Sequence, residues 1–401
     1  MSDPGATDSG AGGPEHGLHV YLIAGEPSGD VIGGRLIEAL SATAGTDLRV
    51  SGVGGPEMEA AGLTSLFAYG ELAIMGLFEV LPSVPRLLRR MRAVAADIER
   101  LKPDVIVTID SPGFVFGVIR RLRSRDCPRV HYVAPTIWAW RAGRVRKFRK
   151  HFDHLLALFP FEPPLFDVAG LASTFVGHPV AEGDVDAGDG AAFRARHDMS
   201  AQSALLCVLP GSRRGEVSRM LPVARQTLDR LMSGHPDVTL VIPAAANVRA
   251  LVEETVATWP WPVAVVDGAA ERYDAFAAAD LALATSGTVT LELSWAGVPT
   301  IVMYRLPWLT GEIARRMIRV KYASIVNIVA DREVLPEFLQ SRCRPALIAD
   351  ALGGLISDPQ RRAEIGREAR TVSRGMEPGG ERPSVRAARA VLDIVAAHRN
   401  R

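Results

Sequence analysis

Residues 281–304 read LALATSGTVTLELSWAGVPTIVMY and contain one charged residue, Glu292. The stretch is long enough to span a membrane, but its Ser-Gly-Thr and Gly-Val-Pro steps divide it into shorter segments. We interpret it as a strand at 281–284, a turn, a short helix at 289–296 and a strand at 300–303. This pattern predicts a buried α/β core.

The same alternation of apolar strands and helical stretches extends outward along the chain. The predicted strands are 19–24, 105–109, 130–133 and 155–158 in the first half, then 205–209, 238–242, 263–266, 281–284 and 300–303. Continuous apolar strands separated by helices are typical of parallel sheets covered on both faces. The sequence therefore predicts two successive doubly wound halves, with ligands bound beyond the carboxyl ends of the strands.

The predicted organisation has five segments. They are a Gly-, Asp- and Ser-rich tail at 1–17, a first domain at 18–182, a linker at 183–202, a second domain at 203–375 and a helical end at 376–401. The tail has no apolar stretch, so we expect it to be disordered and not a signal peptide. The linker prediction depends on a run rich in Gly, Asp and Ala.

Composition excludes several classes of protein. The 401 residues carry a net charge of +1, which gives no overall field for nucleic acid. The three cysteines are far apart in the sequence, which argues against a disulfide framework or a zinc cluster. We expect a soluble, cytoplasmic chain.

Two polar motifs follow apolar strands of the first half. Residues 25–30 (GEPSGD) form a Gly-rich turn into a helix, whose N–H groups can receive an anion or a sugar hydroxyl. Asp110 follows the strand at 105–109, where a carboxylate can accept a proton from an attacking hydroxyl. Both motifs are equally compatible with turns and helix caps.

An aromatic motif, residues 131–141 (HYVAPTIWAWR), follows. Trp138 suits a wall for a sugar or acyl chain, and Arg141 suits a phosphate. The alternative is an ordinary aromatic core beside a solvated arginine.

The second half carries two candidate phosphate-binding turns. In residues 210–217 (PGSRRGEV), Gly211 permits close backbone approach, and Arg213 can pair with a diphosphate. A P-loop is excluded because no Gly-Lys-Ser/Thr sequence ends this turn. In 286–288 (SGT), a helix N-terminus can cradle a pyrophosphate. Glu292, one turn later, is placed to bind two ribose hydroxyls.

These motifs, in this order, resemble those of the lipid-A-disaccharide synthases. The resemblance extends from about residue 19 to residue 339, and the tail and the segment 183–190 lie outside it. One departure is Pro27, where alanine is common. The blocks that carry the resemblance are 24–30, 72–81 (LAIMGLFEVL), 107–114, 131–141, 175–179 (FVGHP), 209–217, 286–299 and 322–327.

The resemblance implies an inverting glycosyltransferase of GT-B architecture from lipid A biosynthesis in Gram-negative bacteria. Two Rossmann-like domains would face a central cleft, and the C-terminal helices would pack back on the first domain. The implied reaction moves 2,3-diacylglucosamine from UDP to the 6-hydroxyl of 2,3-diacylglucosamine 1-phosphate (lipid X). The products are a β-1,6-linked disaccharide 1-phosphate and UDP. No metal or other cofactor is implied, since protein groups would hold the UDP phosphates.

The resemblance also assigns roles residue by residue. Asp110 resembles the family's essential acid and would be the base, with Glu26 as the second candidate. Arg213 and Asn327 resemble its essential arginine and asparagine. The implied UDP-binding residues are Gly211, Ser212, Arg213, Ser286, Gly287, Thr288 and Glu292. The implied acceptor-binding residues are Ser28, Gly29, Asp30, Trp138 and Arg141.

Both implied substrates carry acyl chains, so we expect peripheral contact with the anionic inner membrane. An apolar patch precedes a basic run, which suits such contact; the alternative is a buried helix with a solvated charged face. The patch residues are Ile74, Met75, Leu77, Phe78 and Leu81, and the basic residues are Arg86, Arg89, Arg90 and Arg92. Arg315, Arg316, Arg319 and Lys321 are candidates to extend it.

Other functions remain open from sequence. They are a GT-B transferase with a soluble acceptor, a UDP-sugar 2-epimerase, and a non-catalytic module that binds a nucleotide sugar or a lipid. The choice between Asp110 and Glu26, the acyl lengths, and a homodimer as opposed to a monomer are also open.

Overall fold

A computed structural model describes residues 17–44, 47–68, 80–134, 145–306, 321–377 and 379–400, without the side chains of 80–84 and 147. The chain forms two compact units. The first runs to Val176 and resumes at Glu381, and the second covers Gly177–Gly380. Among the described residues, no helix has the length and apolar character that a bilayer crossing requires.

The first unit is a parallel sheet of seven strands in the order β3-β2-β1-β4-β5-β6-β7. The strands are β1 (Leu18–Ala24), β2 (Leu48–Val53), β3 (Thr64–Ser65), β4 (Val105–Ile109), β5 (Arg129–Tyr132), β6 (His154–Ala157) and β7 (Ala172–Phe175). The helices are α1 (Pro27–Ala44), α2 (Pro56–Ala60), α3 (Val80–Leu101), α4 (Pro112–Ile119), α5 (Val145–Arg149) and α6 (Glu162–Asp167). The strand order reverses direction between β1 and β4, which is where doubly wound folds bind ligands.

The second unit is a parallel sheet in the order β10-β9-β8-β11-β12-β13. The strands are β8 (Leu205–Leu209), β9 (Thr239–Pro243), β10 (Val263–Val266), β11 (Leu281–Ala284), β12 (Thr300–Tyr304) and β13 (Glu337–Leu339). The helices are α7 (Gly190–Arg196), α8 (Arg214–Gly234), α9 (Arg249–Val256), α10 (Ala269–Ala278), α11 (Thr288–Ala296), α12 (Ile325–Ala330), α13 (Pro345–Ser357) and α14 (Pro359–Arg374). Short 3-10 turns lie at Pro179–Glu182, Asp184–Ala187 and Gln340–Arg342. Its strand order reverses direction between β8 and β11.

The prediction of two doubly wound α/β halves is confirmed. The stretch 281–304 forms β11, α11 and β12, as its apolar segments and breaks predict. Gly297 ends α11 with a φ of 79°, a left-handed conformation that glycine adopts without strain. Every residue of β4 and of β8 is buried, because helices cover both faces of each sheet.

The chain end and the stretch 183–202 are both packed. The last helix, α15 (Pro383–Arg399), packs against α1 in the first unit. Residues 183–202, predicted as a linker, include a 3-10 turn and α7, which Asp189 caps through the N–H of Ala192 at 2.9 Å. Phe193 of α7 is fully buried in the core of the second unit. The stretch is therefore packed structure: Phe193 enters the core, and the Arg194 guanidinium donates to the carbonyl of Ala278 at 2.9 Å.

We expect Phe193→Ala to destabilise the second unit by about 3–5 kcal/mol, the usual cost of emptying a buried aromatic site. Urea unfolding would measure the shift. Val168→Ala is the control, since this side chain is 92% exposed and its loss should change stability by less than about 0.5 kcal/mol. An unchanged midpoint for Phe193→Ala would mean that α7 does not contribute to the core.

Candidate functional site

In the first unit, the turns after β1 and β4 lie side by side. The strands are paired with Ala24 opposite Ile109, so Gly25 and Asp110 leave the same edge of the sheet. Asp110 and Ser111 both have left-handed backbones, with φ of 48° and 49°. Two consecutive non-glycine residues in this region store strain, and such strain is concentrated at functional sites.

Gly25 has no room for a side chain. A Cβ atom there would lie 2.5 Å from Oγ of Ser111 and 2.9 Å from its Cβ. The strained Asp110–Ser111 step and the Gly25 turn therefore fit each other closely. Glu26, the second candidate base, follows this glycine and is half-buried.

Asp30 is predicted to bind the acceptor, but in the structure its carboxylate binds the backbone at the start of α2. It is 3% exposed, and its carboxylate accepts hydrogen bonds from the N–H groups of Gly55 (2.7 Å), Glu57 (3.0 Å) and Met58 (3.2 Å). These bonds satisfy donors at the N-terminus of α2. Ser28 is exposed in the first turn of α1, and Gly29 is buried with its Cβ position 3.4 Å from Ile109.

Two buried histidines belong to the blocks that carry the resemblance. Burial lowers the pKa of His131 to about 3 and that of His178 to about 4, so both are neutral near pH 7. Nδ1 of His131 lies 2.7 Å from Oγ1 of Thr108, and Nδ1 of His178 accepts the N–H of Val180 at 3.1 Å. Both rings support the fold as neutral hydrogen-bonding groups.

Several predicted residues lie outside the described part of the chain. These are Trp138 and Arg141 of the aromatic motif, Ile74, Met75, Leu77 and Phe78 of the apolar patch, Arg315, Arg316 and Arg319, and the side chain of Leu81.

In the second unit, the turns after β8 and β11 are also neighbours. Leu209 lies opposite Ala284, and the N–H of Thr285 donates to the carbonyl of Leu209 at 2.9 Å. This pairing places 210–213 beside 285–287, so the two candidate phosphate-binding turns are neighbours.

The 210–213 turn is held by side chains that follow it. Oε2 of Glu216 accepts the N–H of Ser212 at 3.1 Å, and Nδ2 of Asn247 donates to the carbonyl of Ser212 at 3.0 Å. Gly211 has a φ of 117°, and a Cβ there would lie 2.3 Å from the Glu216 carboxylate. Arg213 is exposed at the end of this turn, so its guanidinium is accessible to a ligand.

The helices that follow these turns have open N-termini. Among the described residues, no side chain caps α8 at Arg213 or α11 at Gly287. The first N–H groups of a helix have no partner within it and attract anions. Gly287 and Thr288 are exposed, so the start of α11 is open to a ligand.

Ser286 uses its hydroxyl to hold the turn. Its Oγ donates to the carbonyl of Ala323 at 2.8 Å. A serine hydroxyl has one proton, so this side chain has no donor left for a phosphate oxygen. A contribution of Ser286 to anion binding would come from its backbone N–H.

Glu292 is a mostly buried carboxylate in α11, with a side chain 16% exposed. Burial raises its pKa, and the nearby Arg272 guanidinium opposes that effect from 3.4 Å. Arg272, on α10, is a component of this site that sequence reasoning missed. No motif marks it, because it meets Glu292 only through the packing of two helices.

Asn327 is fully buried, and its amide is saturated with hydrogen bonds inside the protein. Oδ1 accepts the N–H groups of Val334 and Leu335, and Nδ2 donates to the carbonyl of Leu335 and to Oε1 of Glu337, each at 2.8 Å. A primary amide has two donors and two lone pairs, and all four are used. The amide of Asn327 therefore has no hydrogen-bonding group left for a ligand in this arrangement.

The described residues contain no group of three or more His, Cys, Asp or Glu side chains arranged to hold a metal ion. The exposed Arg213 and the open N–H groups at the start of α11 suit an anion.

We expect Gly25→Ala to destabilise the first unit by about 1–3 kcal/mol, because the new methyl group overlaps the Ser111 side chain. Urea unfolding would measure the cost. Combining it with Ser111→Gly should recover most of the loss, since that change removes the atoms that clash. Additive losses in the double variant would contradict the contact.

The chain was compared with known proteins. A family model described as Lipid-A-disaccharide synthetase matches residues 20–391. The lipid-A-disaccharide synthase of Rhodospirillum centenum is 48% identical over 380 residues, covering 94% of this chain and 95% of that protein. The Pseudomonas aeruginosa enzyme is 39% identical over 381 residues, covering 94% and 98%.

Solved structures share the fold at low identity. The Staphylococcus aureus MnaA–UDP co-structure has a TM-score of 0.65 at 12% identity, covering 96% of this chain and 97% of that one. The Neisseria meningitidis UDP-GlcNAc 2-epimerase bound to UDP-GlcNAc has a TM-score of 0.60 at 11% identity, covering 95% and 100%. These likenesses support the GT-B fold, and the sequence matches identify the family. The chain belongs to the lipid-A-disaccharide synthase family.

Proposed function

We propose that this protein is a glycosyltransferase that joins UDP-2,3-diacylglucosamine to lipid X, giving lipid A disaccharide 1-phosphate and UDP. The observation that carries this proposal is the pair of adjacent turns after β8 and β11, each leading into a helix that no described side chain caps, in a chain of this family. The linkage formed is β-1,6, with inversion at the anomeric carbon.

The donor site follows from the charges of the second unit. The N–H groups at the start of α11, together with Arg213, bind the diphosphate and stabilise the negative charge that develops as UDP departs. Glu292 accepts hydrogen bonds from the two ribose hydroxyls. Arg272, beside Glu292, keeps part of this carboxylate's charge compensated.

The acceptor chemistry belongs to the turns after β1 and β4. The 6-hydroxyl oxygen of lipid X attacks the anomeric carbon opposite UDP, the bond to UDP breaks with its electron pair, and the hydroxyl proton moves to a carboxylate. Asp110 is the proposed base, supported by its strained backbone at the edge of the sheet. Glu26 is the second candidate, and Asn327 acts as a positioning residue.

We expect Asp110→Asn to lower kcat by roughly 10²–10⁴-fold, because an amide cannot accept the proton. The assay follows disaccharide and UDP formation from UDP-2,3-diacylglucosamine and lipid X. Calorimetry with UDP is the control, since Asp110 lies in the other unit and UDP affinity should be unchanged. Glu26→Gln is the matched variant. If the Asp110→Asn enzyme were active and the Glu26→Gln enzyme inactive, Glu26 and not Asp110 would be the base.

The same assay tests the function as a whole. Wild-type protein that binds UDP but releases no disaccharide would contradict a transferase and indicate a binding module. Turnover of UDP-N-acetylglucosamine without an acceptor would instead indicate an epimerase.

We infer that the enzyme works at the cytoplasmic face of the inner membrane as a peripheral protein, because both proposed substrates are acylated. The apolar segment 72–81 supports this from its sequence. On α3, which follows, Arg86, Arg89 and Arg92 are exposed, in keeping with contact to anionic headgroups.

We expect the double variant Leu77→Ser/Phe78→Ser to lose most flotation with vesicles containing anionic lipid, because it removes the apolar anchor. Wild-type flotation should also weaken as salt rises, since the basic face is screened. Val168→Ser is the control, a polar change at an exposed apolar side chain in the first unit. Equal flotation of all three proteins would contradict the assignment of the patch.

A further inference from the structure

Glu337 is a buried carboxylate that no proposed step uses. It begins β13, at the edge of the second sheet, and is 6% exposed. Its Oε2 accepts the N–H of Ala323, and its Oε1 accepts the N–H of Ser324 and Nδ2 of Asn327, each at 2.8 Å. Within the described part of the chain, no Lys or Arg side chain forms a salt bridge with it. Three N–H donors satisfy its oxygens there and offset the cost of removing the group from water.

The Ala323 residue connects Glu337 to the donor turn. Its N–H is held by Glu337, and its carbonyl accepts the Ser286 hydroxyl at 2.8 Å. Ser286 lies directly before Gly287, the N-cap of α11. A chain of two hydrogen bonds thus runs from the sheet edge to the turn whose N–H groups face the diphosphate.

Asn327 binds the other oxygen of the Glu337 carboxylate, Oε1. Ser324 caps α12 through the N–H of Asn327 at 3.3 Å, and the Asn327 amide binds the backbone at 334–335. Glu337 and Asn327 therefore hold the start of α12 and the strand β13 in one fixed arrangement. Segment 323–324 has little freedom to move unless these bonds break.

We propose that Glu337 is a positioning residue for the diphosphate site: through Ala323 it orients Ser286 and the start of α11. It does not touch substrate. This inference rests on the proposed function, since the Ser286 turn must bind a nucleotide diphosphate for its orientation to matter.

Glu337→Gln tests the proposal with little change of shape. A glutamine has one acceptor oxygen, so its NH₂ group must face at least one of the three N–H donors, and a buried hydrogen bond is lost. We expect UDP affinity, measured by calorimetry, to fall about tenfold, the scale of one lost buried bond to a charged group. The KM of the donor should rise and kcat should fall, because the same N–H groups stabilise the charge on the departing UDP. Glu364→Gln, which makes the same change of charge at a surface ion pair, should bind UDP like wild type.

A double variant separates positioning from general stability. If Glu337 acts through Ser286, Ser286→Ala should weaken UDP binding, and adding Glu337→Gln should weaken it little further. Fully additive losses, or wild-type affinity in Glu337→Gln, would overturn the inference while leaving the proposed function intact. Wild-type protein that fails to bind UDP would overturn both.

Hydrogen exchange of the wild-type protein provides a test that does not depend on a variant folding. UDP should slow exchange of the amides in 321–327 together with those in 286–292, since the two segments are linked by hydrogen bonds. Protection confined to 286–292 would overturn the inference.

Discussion

The parallel pairing of β8 with β11, Leu209 opposite Ala284, is the constraint on which the proposed donor site depends. In a parallel sheet, all strands end at the same edge. Where the strand order reverses, the connections that follow the two neighbouring strands leave to opposite faces of the sheet. The turns at 210–213 and 285–287 are therefore adjacent, and neither is covered by the other's helix. The pairing of β1 with β4 repeats this geometry for Gly25 and Asp110.

Carboxylates hold the backbone in and around these turns. Asp30 binds three backbone N–H groups around α2, Glu216 binds the N–H of Ser212, and Glu337 binds those of Ala323 and Ser324. The N–H groups of Gly55 and Ala323 belong to supporting segments, whereas that of Ser212 lies in the candidate turn itself. The N-termini of α8 and α11 have no side-chain cap among the described residues, so their N–H groups stay available to an anion.

The sequence predicted the fold and the placement of the motifs because both depend on local pattern. Apolar runs broken by Gly and Pro define β11, α11 and β12, and the motifs follow strand ends as the doubly wound fold requires. It did not predict how polar residues are used. Asp30 meets Gly55, and Asn327 meets Leu335, through packing that no spacing rule encodes. A polar residue in a family motif looks the same in sequence whether it binds a ligand or the backbone.

Glu292 shows how binding and stability are coupled at such a site. Burial raises its pKa, so the folded protein holds this proton more tightly than the unfolded chain does. Stability contributed by the protonated form is therefore lost as pH rises from the ordinary glutamate pKa through the raised one. Two ribose hydroxyls that donate to it would favour the charged form and lower its pKa again. In the proposed donor complex, the nucleotide therefore offsets the unfavourable burial of the charged Glu292 side chain. Because this lowers the pKa of Glu292, nucleotide binding strengthens as pH rises through the raised pKa.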